Sequence, residues 1–232
     1  MIEPIRKSKM SLQLKLDTIK QEFEASVPAQ ALAVMRASTQ ALVDSDQAAR
    51  AVKRGDLAPR FSLVDSEGNI VSSQALLQKG PLVVTFYRGV WCPYCNLELQ
   101  ALESVRAEIE SRGASLIAIS QQTARNNRAS RVDNALHFPI LVDQGGSVAD
   151  AFGIRWALAG DIKALFEQFG VNLEMFNGEP SWTLPMPARY VIDTDGVVAY
   201  AEVNPDYTQR PEPSELLPVL DALASRVEVA KR

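Results

Sequence analysis

Hydrophobic residues follow a helical spacing in the first quarter of the chain and a strand-like spacing after it. Over residues 11–53 they recur every three or four positions, in one stripe from Leu12 to Phe23 and in a second stripe that ends at Leu42. This spacing is typical of amphipathic helices, so we predict two helices or three. Gly55 and Pro59 then interrupt the pattern. The sequence therefore predicts a helical arm over residues 1–54 and a separate domain over residues 55–232.

Short apolar runs alternate with helical patterns in the second domain, which favours an α/β fold. The predicted strands are 82–87, 114–120, 137–143, 184–193 and 197–203. The predicted helices are 74–79, 93–112, 123–134, 161–169 and 214–227. Residues 60–73 alternate about a Glu-Gly-Asn turn and predict a β-hairpin. A helix between the first two strands predicts that they pair in parallel. Residues 154–184 form an insertion, and a long loop of this kind often serves as a lid or an interface.

Composition and charge exclude several classes of partner. The 232 residues are 47% hydrophobic, which suits an ordinary core, and the net charge of −4 offers no basic surface for nucleic acid or an anionic membrane. No apolar run approaches the roughly 18 residues that a membrane-spanning helix needs, and the first ten residues contain no apolar leader. We therefore predict a cytoplasmic protein with no nucleic-acid partner and no membrane partner.

The two cysteines, Cys92 and Cys95, stand where the predicted strand 82–87 leads into a helix. Pro93 suits the first helical position, which makes Cys92 the predicted N-cap, where free backbone N–H groups and the helix dipole stabilise a thiolate. A decrease of the thiol pKa from about 8.5 to about 7 would ionise roughly half of it at neutral pH. Residues three apart on a helix are also close enough to form a disulfide. The pair predicts redox chemistry in which one cysteine attacks and the other resolves.

A metal site fits these residues less well. Structural zinc takes four nitrogen or sulfur ligands, whereas the chain has two cysteines and one histidine. Thiol chemistry is self-contained once electrons arrive as thiols, so we predict neither a metal nor an organic cofactor.

Four segments of the second domain carry a resemblance to a known family. They are Leu57-Ala-Pro-x-Phe, Phe86-Tyr-Arg-Gly-x-Trp-Cys-Pro-Tyr-Cys, Phe138-Pro-Ile-Leu-x-Asp and Tyr190-Val-Ile-Asp-x-x-Gly. Together they resemble the AhpC/TSA (redoxin) group of peroxiredoxin-like proteins, whose fold is that of thioredoxin. The resemblance covers residues 55–228 and implies a central mixed β-sheet flanked by helices, with the arm as an N-terminal extension.

The resemblance leaves open which cysteine attacks. Peroxiredoxins carry Pro-x-x-x-Thr-x-x-Cys followed three residues later by Glu, and a gapless match puts Cys95 at the peroxidatic position and Glu98 at the glutamate. Arg88 and Cys92 then replace the proline and the threonine. In the thioredoxin register, Cys92 is the exposed nucleophile and Cys95 is the more buried resolving thiol. The helix terminus favours Cys92, and the peroxiredoxin register favours Cys95.

Residues around the pair have roles implied by the same resemblance. Six residues before Asp193, where a peroxiredoxin would carry its active-site arginine, the chain has Pro187, which matches the cis-proline beside the thioredoxin disulfide. Arg189 lies on the same strand face and is either a substitute for that arginine or a surface charge. Arg88 either lowers a thiol pKa or is a solvated strand end. Trp91 is expected to pack beside the disulfide.

The function that follows from the resemblance is a thiol peroxidase with a peroxide substrate and a thioredoxin-like or other thiol reductant. One thiolate would form a sulfenic acid, which its partner captures as a disulfide. A dithiol-disulfide oxidoreductase is the alternative within the same chemistry. A redox-sensing interaction module is the alternative from another class. The apolar arm suggests a homodimer, because an unpaired apolar stripe packs on the main domain or on a second subunit.

Overall fold

The structure, a computed structural model, describes residues 10–230. Residues 1–9, where the sequence analysis expects no apolar leader, and residues 231–232 lie outside the described part. Across the described range no helix combines the length and the apolar character needed to cross a membrane.

The arm contains two long helices and a short third, as the hydrophobic spacing predicts. They are α1 (Leu12–Ser26), α2 (Ala29–Asp44) and α3 (Gln47–Arg50). Ser11 is the N-cap of α1, and its hydroxyl accepts a hydrogen bond from the Leu14 backbone N–H. Such a bond satisfies one of the four N–H groups that a helix start leaves free.

The second domain is a seven-stranded mixed sheet flanked by helices. The sheet is made of β1 (Ser62–Asp65), β2 (Ile70–Ser72), β3 (Leu82–Phe86), β4 (Ser115–Ser120), β5 (Ile140–Val142), β8 (Ala188–Ile192) and β9 (Val198–Val203), in the order β2-β1-β5-β4-β3-β8-β9. The hairpin β1–β2 and the parallel pair β3–β4 confirm two sequence predictions. A second sheet pairs β6 (Arg155–Ala157) with β7 (Thr183–Pro185).

Helices cover both faces of the large sheet. The helices that follow the arm are α4 (Ser73–Leu77), α5 (Pro93–Ser111), α6 (Ala124–Asp133), α7 (Ser147–Ala151), α8 (Asp161–Gln168), α9 (Leu173–Asn177) and α10 (Leu216–Ala230), of which α8 and α9 pack in a separate cluster with the small sheet. Along β3 the side chain of Val83 joins the core cluster under α5 and α10, while Leu82 and Val84 join the cluster on the other face. Both faces of this strand are therefore buried, which is why its sequence is apolar without alternation.

Three predicted segments differ from the observed ones. The strand predicted at 137–143 is shorter, because Pro139 lacks an N–H donor and β5 begins after it. The strand predicted at 184–193 is split, because Pro185 and Pro187 interrupt the hydrogen-bond ladder and β7 and β8 join different sheets. The insertion over residues 154–184, in which the sequence predicts one helix at 161–169, contains a second short helix, α9.

The arm packs on its own chain through α1. Leu12 and Leu16 are buried in the same core cluster as Leu99 and Leu102 of α5. The Leu12 N–H also donates to the Glu212 carboxylate at the other end of the sequence. One apolar stripe of the arm is therefore covered within the protomer. The homodimer and the boundary between residues 54 and 55 stay predictions.

We predict that Leu16→Ala lowers the free energy of unfolding by about 2 to 5 kcal/mol, because Leu16 is fully buried and its loss leaves a cavity between α1 and α5. Leu14→Ala is the matched control, since Leu14 lies on the same helix and is 52% exposed. It should change that free energy by less than about 0.5 kcal/mol. Urea denaturation measures both. Equal effects would contradict the packing of the arm on the domain.

Candidate active site

The cysteines occupy the junction between β3 and α5 that the sequence predicts. Cys92 is the N-cap of α5, Pro93 is its first residue, and the Cys95 N–H donates to the Cys92 sulfur at 3.4 Å. Both cysteines are free thiols, and both are fully buried. The helix start therefore directs a backbone donor at Cys92, as a thiolate at this position requires.

Arg88 begins the segment 88–91, which we call the redox loop. Its Nη2 atom lies 3.2 Å from the Cys92 sulfur. The guanidinium carbon lies 3.8 Å from the ring centre of Tyr207 and 5.1 Å from that of Trp91. Two aromatic faces and one sulfur thus surround a buried cation, so Arg88 is a sulfur-binding residue and not a solvated strand end.

Glu98 connects two further arginines to the site. Arg189 donates from Nη2 to Oε1 of Glu98 at 2.8 Å, and Arg210 donates from Nε to Oε2. Arg210 also reaches Cys95, with 3.8 Å between Nη2 and the sulfur. All three charged side chains are buried. The carboxylate therefore holds the Arg210 guanidinium next to the second cysteine.

The charges around the dithiol do not balance when both thiols are protonated. Three guanidinium groups, those of Arg88, Arg189 and Arg210, accompany the carboxylate of Glu98, which leaves two positive charges uncompensated. Removing a proton from a thiol reduces this excess. Because Coulomb interactions are strong where water is excluded, the cluster favours one thiolate.

The two cysteines respond in opposite directions. Burial opposes ionisation of Cys92, but the hydrogen bond from Cys95 and the charge of Arg88 outweigh it and lower its pKa from 9.0 to about 5. Burial raises the pKa of Cys95, and the hydrogen bond and negative charge of Cys92 raise it further. The helix terminus alone predicts a smaller decrease for Cys92, because that prediction contains no arginine. At neutral pH the pair is one thiolate and one thiol.

A buried network of polar side chains holds the redox loop in place. The Gln122 Oε1 atom accepts from the Val90 N–H at 2.9 Å, and its Nε2 donates to the Tyr87 hydroxyl at 3.2 Å. The Tyr87 hydroxyl lies within hydrogen-bond distance of Asn127 Oδ1 and of the Ser130 hydroxyl in α6, at 2.9 and 3.0 Å. The network ties the loop to the segment after β4 and to α6, and it fixes the backbone two residues after Arg88.

Three other residues that the sequence analysis places at the site are Trp91, Arg189 and Pro187. Trp91 is half-buried and packs edge-to-face on Phe166, with 5.5 Å between ring centres. Arg189 is not a surface charge, but it contacts Glu98 and not a sulfur atom. The expectation of a cis-proline at Pro187 is wrong, because the described residues contain no cis peptide bond. Pro187 is buried at the start of β8, where its carbonyl accepts from the Asn204 N–H.

Sequence reasoning missed Arg210, Tyr207 and Gln122. Arg210 and Tyr207 lie in the loop before α10, more than a hundred residues after the cysteines, and no periodic pattern or motif surrounds them. The gapless match to the peroxiredoxin motif identifies Glu98 as a site residue, and a buried carboxylate requires a cationic partner. The sequence therefore predicts a positively charged side chain near Glu98, but it does not identify which residue provides it.

A dithiol in which one sulfur ionises while its neighbour keeps its proton can pass two electrons, and this property defines a thiol-based oxidoreductase. The chain belongs to the AhpC/TSA family, whose model matches residues 54–201. The resemblance noted in the four sequence segments is thereby confirmed.

Curated relatives include both peroxide-reducing and disulfide-exchanging proteins by name. The chain is 28% identical to the chloroplastic peroxiredoxin Q of Oryza sativa subsp. japonica over 172 residues, which are 74% of this chain and 68% of that protein. It is 34% identical to the thiol-disulfide oxidoreductase ResA of Halalkalibacterium halodurans over 104 residues. That second match spans 44% of this chain and 58% of the relative.

Solved structures share the fold. The peroxidoxin BcpB of Mycobacterium tuberculosis aligns with a TM-score of 0.58 at 23% identity, over 75% of this chain and 97% of that one. A yeast mitochondrial 1-Cys peroxiredoxin aligns with a TM-score of 0.59 at 19% identity, over 76% and 78% of the two chains. The fold is therefore thioredoxin-like, as the order of strands and helices implies.

We predict that the reduced protein shows a thiolate titration with a midpoint near pH 5, followed by the ultraviolet absorbance of the thiolate. Arg88→Met should raise the midpoint, because it removes a positive charge from the Cys92 sulfur. Since the folded pKa lies below 9.0, ionisation of Cys92 contributes stability that is complete above about pH 9 and is lost as the pH falls through 5. Cys92→Ser is the control and should lack the transition. An unchanged midpoint in Arg88→Met would contradict the assignment of Arg88 as a residue that lowers the pKa of Cys92.

We predict that Glu98→Gln lowers the free energy of unfolding by about 3 to 5 kcal/mol, because it leaves two buried arginines without their carboxylate. Glu110→Gln is the matched control on the same helix. Glu110 pairs with Arg106 at the surface, and its loss should cost less than about 1 kcal/mol. Denaturation at one pH compares the two, and equal losses would show that the buried cluster is not structural.

Proposed function

We propose that the protein is a thiol peroxidase in which Cys92 attacks the peroxide and Cys95 resolves the product. The observation that carries this proposal is the contact of 3.2 Å between Arg88 Nη2 and the Cys92 sulfur. A guanidinium at this distance stabilises the thiolate, and its remaining N–H groups are donors for the oxygen atoms of a bound peroxide.

The first step is a two-electron oxidation of Cys92. The thiolate attacks the terminal oxygen of the peroxide, an S–O bond forms and the O–O bond breaks. The sulfur becomes a sulfenic acid, while the other oxygen leaves with the electron pair of the broken bond and takes a proton from water. Arg88 favours this step because it faces the negative charge that moves from sulfur to oxygen.

The second step joins the two sulfurs. The Cys95 thiol attacks the sulfenic sulfur, the S–O bond breaks, and the Cys95 proton leaves with the hydroxyl as water. The Cys95 N–H hydrogen bond to Cys92 supports this step, since it keeps the two residues in contact. An external dithiol, such as a thioredoxin-like protein, then reduces the disulfide. We place the cycle in the cytoplasm, where thiol donors are kept reduced.

Burial of the sulfurs favours a small oxidant over a protein disulfide. In the reduced form, which meets the oxidant, both cysteines are fully buried, and attack on a protein disulfide would require direct sulfur-to-sulfur contact between two chains. A peroxide needs space for a few atoms only. Because one relative is named as a thiol-disulfide oxidoreductase, the test also measures reduction of a protein disulfide.

The test is consumption of hydrogen peroxide and cumene hydroperoxide by wild type, Cys92→Ser and Cys95→Ser, each supplied with a dithiol. We expect turnover by wild type only. Cys95→Ser should form a sulfenic acid that a trapping reagent captures, and Cys92→Ser should not, because Cys92 is the thiol with the lowered pKa and with the Arg88 contact.

Two outcomes would contradict the proposal. A sulfenic acid in Cys92→Ser and none in Cys95→Ser would exchange the two roles. Persistence of both peroxides, together with reduction of insulin disulfides, would establish a disulfide oxidoreductase. A change of oligomeric state with redox state and no turnover would establish the redox-sensing module.

A further inference from the structure

A cavity of about 220 Å³ lies beside the redox loop, and we call it the redox-loop cavity. Much of its wall is apolar and comes from the arm and from the insertion between β6 and β7. These residues are Ile19, Phe23, Met35, Phe166, Phe169 and Val171. The cavity therefore presents hydrocarbon to whatever approaches Arg88.

Arg88 is the one charged side chain among the described residues that line the cavity. The same guanidinium touches the Cys92 sulfur at 3.2 Å. Tyr207 and Trp91, which flank the guanidinium, belong to the wall as well. A ligand that suits this cavity has an apolar body and a single oxygen-bearing group that accepts hydrogen bonds from Arg88.

The size of the cavity exceeds what hydrogen peroxide needs. At roughly 30 Å³ for each water molecule, 220 Å³ corresponds to about seven waters. Hydrogen peroxide is only slightly larger than water and has no apolar surface to bury. An alkyl or aryl group would instead displace poorly held water from hydrocarbon walls, at roughly fourfold in binding for each buried methylene.

The arm and the insertion close over the cavity together. Phe23 of α1 meets Phe169 edge-to-face with 6.0 Å between ring centres, and Phe166 meets Trp91 of the redox loop at 5.5 Å. The arm and Tyr207 lie outside residues 54–201, which are the part that matches the family model. Ile19, Phe23 and Met35 of the arm, together with Tyr207, are thus wall residues that lie outside the matched domain, whereas the insertion lies within it.

We propose that the redox-loop cavity binds the organic group of an alkyl or aryl hydroperoxide, and that the arm and the insertion thereby select such a substrate over hydrogen peroxide. This inference rests on the proposed function. The hydroperoxide oxygens would lie against Arg88 and the organic group against Met35, Phe23 and Phe169.

The first test is the ratio of kcat/KM for cumene hydroperoxide to kcat/KM for hydrogen peroxide. Wild type should favour cumene hydroperoxide by at least about tenfold. Met35→Trp fills the cavity from the arm and should lower the ratio about tenfold. Val43→Trp is the matched control, because Val43 lies on the same helix, is 42% exposed and does not line the cavity.

Phe169→Ala is a second variant in case Met35→Trp fails to fold. Phe169 is 41% exposed, so its loss should disturb folding little while it removes one wall. The ratio should fall here too. A wild-type ratio near one, or an unchanged ratio in both variants, would overturn the inference.

A binding measurement separates this inference from the proposed function. Cumyl alcohol, the product of cumene hydroperoxide reduction, is titrated calorimetrically into Cys92→Ser and into the same variant with Met35→Trp. Binding to the first and at least about tenfold weaker binding to the second supports the inference. Turnover of both peroxides without alcohol binding would overturn the cavity assignment alone. Alcohol binding without any peroxide turnover would overturn the proposed function, and with it the hydroperoxide as occupant.

Discussion

An excess of buried positive charge is the constraint on which the active site depends. Arg88, Arg189 and Arg210 are all buried, and Glu98 compensates only one of their charges. Burying an unpaired cation is costly, so a structure that retains this excess gains free energy from any anion formed nearby. Cys92 supplies that anion by giving up its proton. The reactivity of the thiolate and the stability of the cluster are two results of the same imbalance.

The sheet and α5 fix the positions of these charged side chains. Arg88 follows the end of β3, and Arg189 lies on β8, where it is in register with Thr85 of β3. Glu98 comes one turn after Cys95 on α5, so the helix that caps the thiolate also carries the carboxylate. Because β3, β8 and α5 pack on one core, the cations cannot move apart to relieve their repulsion.

Much of the fold and half of the site could be predicted from local sequence. The Cys-Pro-x-Cys segment fixes a helix N-terminus through chemistry within a few residues, and the apolar run 82–87 fixes the buried strand before it. Arg189 and Pro187 could be located on a strand, but their contacts depend on which strands pair, and local patterns do not contain that information. Arg210 is the clearest case, since it meets Cys95 only after the chain has folded back from the final loop.

The separation of 115 positions between Cys95 and Arg210 has a consequence for the protein during its own synthesis. A ribosome completes the Cys-x-x-Cys segment long before it adds the loop that carries Tyr207 and Arg210. Until that loop arrives, Glu98 has no Arg210 and Arg88 has no Tyr207 ring to pack on. A chain that has not yet been extended past residue 210 therefore lacks the Tyr207 ring and the Arg210 guanidinium that complete the charge cluster around the dithiol.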